Sequence, residues 1–237
     1  MKIALISDLH GNLPATLAVE ADIRKRGADV IYCLGDLIGK GPDSPETMDW
    51  AFANCDVILM GNWDDAVMRN QFAFNPLSCE WYRAQLGDER LRNLAQLPLE
   101  HYFYFSGRKI RLVHGRPLLE DVVFYDSPVE ERTQFFTVPD APQIVCFADI
   151  HQPFYEQIDE YGILINVGSV GNPLAHQPYA TYCLLEGEMG DKPAPLAFTI
   201  IQVDYDREEA VRRTLATPGL PKADAFIKEI RSGIYSR

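Results

Sequence analysis

The chain has 237 residues, 47% of them hydrophobic, which is enough to bury a large core as a single domain over 1–237. Acidic residues outnumber basic ones by 34 to 22, for a net charge of -12, which argues against binding to long nucleic acid. No apolar run approaches the roughly 18 residues of a membrane span, and no signal-peptide pattern opens the chain. Five cysteines without a C-x-x-C motif favour buried reduced thiols, and hence a cytoplasmic protein.

The first sixty residues alternate apolar strand patterns with helical ones. Strands are predicted at Lys2–Ser7, Val30–Leu34 and Asp56–Met60. A helix is expected from near Asn12 to Gly27, and a second from an N-cap at Ser44 to about Ala53. Single helices between strands are typical of βαβ units, so we expect a mainly parallel sheet here.

The rest of the chain begins with a helical pattern over residues 64–97 and then returns to strands. The apolar face of that helical region comprises Trp81, Tyr82, Leu86, Leu91 and Leu94. Further strands are predicted at Tyr102–Phe105, Ile110–Val113, Ile144–Ala148, Ile163–Val167, Thr181–Leu185 and Phe198–Val203. Closing helices are predicted at Glu208–Leu215 and Ala223–Ile230. Short connections indicate antiparallel pairing, so we expect a second, more mixed sheet facing the first, with helices outside.

Polar segments follow five of the apolar runs. They are Asp8-Leu9-His10-Gly11-Asn12, Gly35-Asp36, Gly61-Asn62, His114-Gly115 and Asp149-Ile150-His151. In open α/β sheets, ligands and chemistry collect at the carboxyl ends of strands. The sequence therefore predicts one site built from all five segments.

These residue types point to metal ions. In an extended segment residues i and i+2 point to the same side, so Asp8 and His10 can hold one ion together, as can Asp149 and His151. Asp36 can present one carboxylate oxygen to each of two ions, and such bridging holds divalent cations about 3.5–4 Å apart for phosphoryl displacement.

Two neutral ligands complete the set. Asn62 offers an amide oxygen and His114 an imidazole. Mixed nitrogen and oxygen ligation suits Mn, Fe, Zn, Co or Ni better than Mg or Ca.

Together with the loop Gly41-Pro42-Asp43-Ser44-Pro45 and the segment from Asn166 to Pro173, these blocks resemble the calcineurin-like metallophosphoesterases. The likeness is to small bacterial members with D-x-H-G-N, G-D-x-x-G, G-N-H-D, H-G-x-P and G-H-T-H blocks, and it covers nearly the whole chain. It implies a four-layer α/β/β/α sandwich of two mixed sheets, with a dinuclear metal site at the C-terminal strand ends. By position, one ion would be held by Asp8, His10, Asp36 and His151. The second would be held by Asp36, Asn62, His114 and the residue at 149.

Position 149 departs from the family pattern. Where relatives have G-H-T-H, this chain has Ala148-Asp149-Ile150-His151. An aspartate that ligates leaves the centre one charge less positive, which weakens its Lewis acidity and favours Mn²⁺ over Zn²⁺. An aspartate whose side chain is too short to reach the ion leaves the second metal site with weak affinity. We favour ligation by Asp149.

Position 63 is the second departure, because Gly61-Asn62-Trp63-Asp64 replaces the G-N-H-D block. The family histidine is thought to protonate the leaving group, and an indole cannot act as a general acid, which typically contributes about 10²–10⁴-fold. Trp63 either stacks on a base or aryl group of the substrate or packs beneath the next helix.

Two more residues are candidates for substrate contact. Arg116 is placed to hold a phosphate oxygen bidentately, with an exposed ion pair as the alternative. Asn12 either contacts substrate or caps the first helix.

We expect a metal-dependent hydrolase of a small phosphoester, with two divalent ions, Mn favoured, and a metal-bound hydroxide as nucleophile. The catalytic residues would be Asp36, Asn62 and His114. A diester is favoured over a monoester, because a site without a general acid needs a leaving group of low pKa. The alternative is a catalytically weakened binding or scaffolding protein of the same fold. We expect no membrane partner, and a homo-oligomer is left open.

Overall fold

A computed structural model describes residues 1–71, 76–115 and 122–236, with the backbone alone at 76 and 77. The strands are β1 Lys2–Ile6, β2 Val30–Cys33, β3 Val57–Ile58, β4 Glu100–Phe105, β5 Arg108–Val113, β6 Ile144–Phe147, β7 Phe154–Ile158, β8 Gly162–Asn166, β9 Ala180–Glu186 and β10 Ala197–Val203. The helices are α1 Leu13–Arg26, α2 Ser44–Asn54, α3 Asn62–Arg69, α4 Pro76–Leu94, α5 Val129–Thr133, α6 Arg207–Leu215 and α7 Ala223–Ser232.

The strands form two five-stranded mixed sheets. The first sheet has the order β10-β9-β1-β2-β3, in which β1, β2 and β3 are parallel. The second sheet has the order β4-β5-β6-β8-β7, in which β5, β6 and β8 are parallel. In the second sheet the parallel strands lie between two antiparallel edge strands, whereas in the first sheet the antiparallel strands lie on one side only. In both sheets the loops after the parallel strands can converge at one edge.

The side-chain alternation of β1 shows how the layers are built. Ile3 and Leu5 pack between the sheets, where they meet Ile110 and Cys146 of the second sheet. Ala4 and Ile6 face the opposite way, into a cluster that includes side chains of α1, α2, α4, α6 and α7. Burying each large apolar side chain contributes about 1.5–3 kcal/mol, so both faces of this central strand stabilise the sandwich.

The outer face of the second sheet is covered more thinly. Phe135 and Phe136, in a single 3-10 turn after α5, pack with Val145 and Phe147 of β6. The predicted arrangement of two facing mixed sheets with outer helical layers is confirmed, with unequal outer layers among the described residues.

Several local predictions differ from the structure. The helical region predicted at 64–97 comprises α3 and α4, and α4 is interrupted at Gly87, whose φ of 70° and ψ of 171° are not helical. The edge strand β7 and the short helix α5 were not predicted, because their sequences place polar residues among the apolar ones. Ser44 lies inside α2, where its hydroxyl accepts the Gly39 N–H, and Asp43 is the flanking residue.

None of the helices in the described ranges has the length and apolar character needed to span a bilayer. All five cysteines are free thiols, as predicted, and only Cys55 is less than fully buried.

Candidate metal centre

Five of the six predicted carboxylate and imidazole ligands lie in left-handed turns rather than in extended strand, and His114, which directly follows β5, is the exception. Asp8 and His10 have φ of 54° and 45°, and Asp149 and His151 have φ of 68° and 58°. Asp36 is left-handed as well, with φ of 53°. The extended conformation predicted for these residues is therefore wrong, because they lie beyond the strand ends. Such conformations cost about 1–3 kcal/mol each and persist only where surrounding contacts enforce them.

Backbone hydrogen bonds between loops enforce these turns. The Asp8 N–H donates to the Gly35 carbonyl at 2.9 Å, and the His10 N–H donates to the Asp36 carbonyl at 3.1 Å. On the other side, the Asp8 carbonyl accepts the Gly171 N–H at 2.8 Å. A Cβ at Gly171 would lie 1.8 Å from a carbonyl oxygen of the first loop, so the backbones can approach this closely only with glycine there.

Asp64 supports the Asp36 loop, a role that the sequence analysis did not assign. Its buried carboxylate accepts the N–H groups of Asp36 at 2.8 Å, Leu37 at 3.1 Å and Gly61 at 3.0 Å. Burial raises the pKa of Asp64 to about 6, although these hydrogen bonds oppose the rise. The signal available in the sequence was an acidic residue in the first turn of α3, where helix N–H groups lack partners.

Ligand atoms from both sheets converge in two overlapping groups. In the first group, Asp8 Oδ1 lies 3.8 Å from His10 Nε2 and 3.3 Å from His151 Nε2. In the second group, His114 Nε2 lies 3.6 Å from Asp36 Oδ2 and 4.0 Å from Asp8 Oδ1. Asp36 Oδ2 is also 3.4 Å from His10 Nε2, so this oxygen stands between two imidazoles.

Asn62 and Asp149 lie on the His114 side of this cluster. Asn62 Nδ2 donates to Asp149 Oδ1 at 2.7 Å, and the same oxygen lies 3.9 Å from His114 Nε2. The Asp149 side chain is only 12% exposed, and burial raises its pKa. The structure thus brings all seven predicted metal-binding residues together.

The buried polar atoms fit divalent metal ions. Both carboxylate oxygens of Asp8, the amide oxygen of Asn62 and Nε2 of His114 are buried without a hydrogen-bond partner among the described residues. An unsatisfied buried polar group costs about 1–3 kcal/mol, so a cluster of acceptor atoms is stable only when something positive satisfies it. These are the donor types that hold divalent transition metals.

Each imidazole is oriented so that Nε2 faces this cluster. The Nδ1 atoms of His10, His114 and His151 lie within hydrogen-bond distance of the backbone carbonyls of Ile38, Leu34 and Asn172. A carbonyl on Nδ1 selects the tautomer in which Nε2 carries a lone pair, as metal-binding histidines require.

The electrostatics of the cluster favour cations. Burial raises the pKa of Asp36 well above its usual range, and the nearby carboxylates of Asp64 and Asp8 add to the rise. Burial lowers the pKa of His114, but the carboxylates of Asp36, Asp8 and Asp149 outweigh it and raise that pKa to about 9. The metal-free cluster therefore keeps a proton on His114 where an ion would otherwise sit.

Trp63 packs beneath the following helix, one of its two predicted positions. Its ring meets His10 edge-on, at 5.7 Å between centroids, and Tyr82 of α4 at 6.1 Å. A Cβ at Gly39 would lie 2.3 Å from Trp63 Cε3, so this loop lies directly against the indole. Stacking of Trp63 on a substrate stays a prediction.

The two remaining candidates differ in outcome. Asn12 caps α1, because its Oδ1 accepts the Ala15 N–H at 3.2 Å and its Nδ2 donates to the Gly171 carbonyl at 2.8 Å. The capping interpretation is confirmed, and with 1% exposure Asn12 offers little surface to a substrate. Arg116 lies outside the described residues.

Known proteins are similar to this chain in sequence and in fold. The profile of the calcineurin-like phosphoesterase superfamily domain matches residues 1–190. The Methanocaldococcus jannaschii protein MJ0912 is 28% identical over 231 residues, covering 89% of this chain and 90% of its own. The phosphodiesterase YfcE of Escherichia coli is 30% identical over 101 residues, which cover 38% of this chain and 54% of YfcE.

A solved structure shows that the similarity of fold extends over nearly the whole chain. The crystal structure of a metallophosphoesterase from Sphaerobacter thermophilus superposes with a TM-score of 0.77 at 24% identity, covering 99% of both chains. Because the profile matches most of the sequence, the chain belongs to the calcineurin-like phosphoesterase superfamily.

Proposed function

We propose that this metallophosphoesterase hydrolyses a small phosphodiester at a dinuclear metal centre. The observation that carries the proposal is the convergence of buried acceptor atoms of Asp8, Asn62 and His114, which lack a hydrogen-bond partner in the described part of the chain, at the ends of strands from both sheets. Bound divalent ions supply positive charge that lowers the pKa of an attacking water and stabilises charge developing on the phosphoryl oxygens.

The proposed ligands divide between the two ions as the family resemblance implies. The first ion would be held by Asp8, His10, Asp36 and His151, and the second by Asp36, Asn62, His114 and Asp149. The position of Asp36 Oδ2, 3.4 Å from His10 Nε2 and 3.6 Å from His114 Nε2, supports its sharing between both ions. The other oxygen of Asp36 accepts the Trp63 N–H at 2.8 Å, so Oδ2 is the oxygen that Asp36 would offer to the ions.

The preference for a diester is drawn from the residue at position 63. Trp63 has no proton to give to a leaving group at neutral pH, so the site favours leaving groups that depart as weak bases. The relation to YfcE, a phosphodiesterase, supports the same choice.

The types of ligand in the site suggest which metal the enzyme uses, and the cysteines of the chain suggest where the enzyme is located. Three carboxylates and an amide oxygen favour Mn²⁺, with Fe, Zn, Ni and Co as alternatives. Free buried thiols support a cytoplasmic location. Phe226 and Ile230 of α7 pack into the core of the first sheet, which supports one domain over 1–237.

The test is hydrolysis of p-nitrophenyl phosphate and bis-p-nitrophenyl phosphate by metal-stripped protein, with Mn²⁺, Ni²⁺, Co²⁺, Zn²⁺ and Mg²⁺ added back singly. We expect Mn²⁺-dependent turnover with preference for the diester, and we expect Asp36→Asn to abolish it. Asp22→Asn is the matched control, because Asp22 bonds Arg26 and Tyr182 away from the metal cluster. Metal binding without turnover of either ester would favour a binding or scaffolding protein instead.

A further inference from the structure

Lys40 provides a cation beside the metal cluster that the function proposed above does not use. It lies in the loop between β2 and α2, with a left-handed φ of 55°. Its Nζ donates to Asn172 Oδ1 at 2.7 Å. The backbone carbonyl of Asn172 bonds to His151 Nδ1, so the ammonium and one metal-ligating imidazole are held by the same residue.

A buried carboxylate fixes the orientation of Asn172. Asn172 is fully buried, and its Nδ2 donates to Glu229 Oε2 at 3.0 Å. An ionised carboxylate can only accept, so the amide must present its nitrogen to Glu229 and its oxygen to Lys40. Glu229 is 4% exposed and lies in α7, beyond the residues 1–190 that the family profile matches.

The ammonium of Lys40 keeps donor capacity for another partner. Within the described part of the chain its one hydrogen bond is to the neutral amide of Asn172. Lysine has three N–H donors. Burial lowers the pKa of Lys40, but the carboxylates of Glu229, Asp36, Asp8 and Asp149 all act to keep it charged.

We propose that Lys40 binds a phosphate oxygen of the substrate and that Asn172 and Glu229 position it. This inference rests on the proposed function and names a substrate-binding residue for it. An ammonium that donates to a phosphate oxygen makes a charge-assisted hydrogen bond, roughly twice as strong as a neutral one. Lys40 also adds one positive charge to the site. This charge offsets the negative charge of Asp149, which stands where the family pattern has a neutral histidine.

The test compares phosphate binding with metal binding in Lys40→Met, which removes the charge and keeps an unbranched side chain. We expect affinity for inorganic phosphate on the Mn²⁺-loaded protein, and kcat/KM for bis-p-nitrophenyl phosphate, to fall about 10–100-fold. Calorimetric Mn²⁺ affinity of the stripped protein should stay equal or rise, because the ammonium repels a neighbouring cation. A purely structural lysine would weaken metal and phosphate binding together.

Glu229→Gln tests the positioning step. The glutamine amide can satisfy Asn172 in either orientation, so Lys40 loses its enforced acceptor, and we expect a raised KM with kcat largely kept. Glu208→Gln is the matched control. Glu208 lies in α6 and forms an exposed ion pair with Arg231, which lies in α7 as Glu229 does. It should leave KM and phosphate binding unchanged.

Unchanged phosphate binding in Lys40→Met would overturn the proposal, as would phosphate and Mn²⁺ affinities that fall together. Absence of phosphate binding to the metal-loaded wild type would overturn it as well. Because the phosphate measurement needs no turnover, it decides the role of Lys40 even if neither ester is hydrolysed.

Discussion

Asn62 and Asp149 join the two sheets across the candidate metal centre through a hydrogen bond of 2.7 Å. Asn62 begins α3 after the last parallel strand of the first sheet, whereas Asp149 follows β6 of the second sheet. The bond turns Asn62 Nδ2 toward the carboxylate and leaves Asn62 Oδ1 buried, with no hydrogen-bond partner among the residues that the structure describes. The aspartate at 149 therefore orients Asn62, a proposed metal ligand, besides being a proposed ligand itself.

Asp149→Asn is expected to weaken binding of the second metal ion about 10–100-fold, because it removes the charge of a carboxylate and leaves only a neutral amide oxygen to orient Asn62. Asp149→His restores the family residue and should shift the preference from Mn²⁺ toward Zn²⁺, since an imidazole is a neutral nitrogen ligand. Competitive titration of stripped protein with both metals measures each effect. Two-ion stoichiometry and affinities equal to wild type in Asp149→Asn would show that residue 149 is not a ligand.

Metal binding should tighten as the pH rises toward 9. The pKa of His114 is raised to about 9 in the metal-free protein, so at pH 7 its ring is protonated and an ion must displace that proton. Above pH 9 the proton is gone and no longer competes. Calorimetry of Mn²⁺ binding at pH 7 in two buffers of different ionisation enthalpy should detect proton release, which should be smaller in His114→Gln. A binding enthalpy independent of the buffer would contradict this expectation.

The positions of the principal site residues could be predicted from the sequence, because each follows an apolar run. Asp8, Asp36 and His114 lie just beyond β1, β2 and β5, and a parallel strand presents the residues after it at one edge of the sheet. The backbone conformation that brings these residues together could not be predicted in this way. Left-handed turns at Asp8 and His10 are held by hydrogen bonds between distant loops, which leave no periodic signal.

The supporting residues were hidden for the same reason. Lys40 and Asn172 are 132 positions apart, and each taken alone is an ordinary loop residue. Asp64 stood in a recognised block, but its role depends on three N–H groups that only the folded loop brings together. Local pattern locates the ends of strands, whereas these contacts depend on tertiary structure.

Trp63→His is expected to extend the range of leaving groups. A histidine supplies the proton that the indole lacks, so hydrolysis of alkyl esters should rise, by at most about 10²–10⁴-fold, while nitrophenyl esters change little. A series of diesters with leaving groups of increasing pKa measures this as a flatter dependence of kcat/KM on that pKa. Trp63→Phe controls for lost packing against Tyr82 and Gly39. An equally flat dependence in Trp63→Phe would show that the change comes from the loss of the bulky indole and not from proton transfer.

Asp64→Asn is expected to lower the free energy of unfolding of the metal-free protein by about 1–3 kcal/mol, because an amide turns a donor toward one of the N–H groups that the carboxylate accepts. The Asp36 loop loses a fixed partner, so Mn²⁺ affinity should fall too. Urea unfolding in EDTA, followed by Mn²⁺ titration, measures both. Asp65→Asn is the matched control, since its i,i+4 pair with Arg69 is worth only about 0.3–0.5 kcal/mol. Similar losses in both variants would mean that the three hydrogen bonds of Asp64 do not hold the loop.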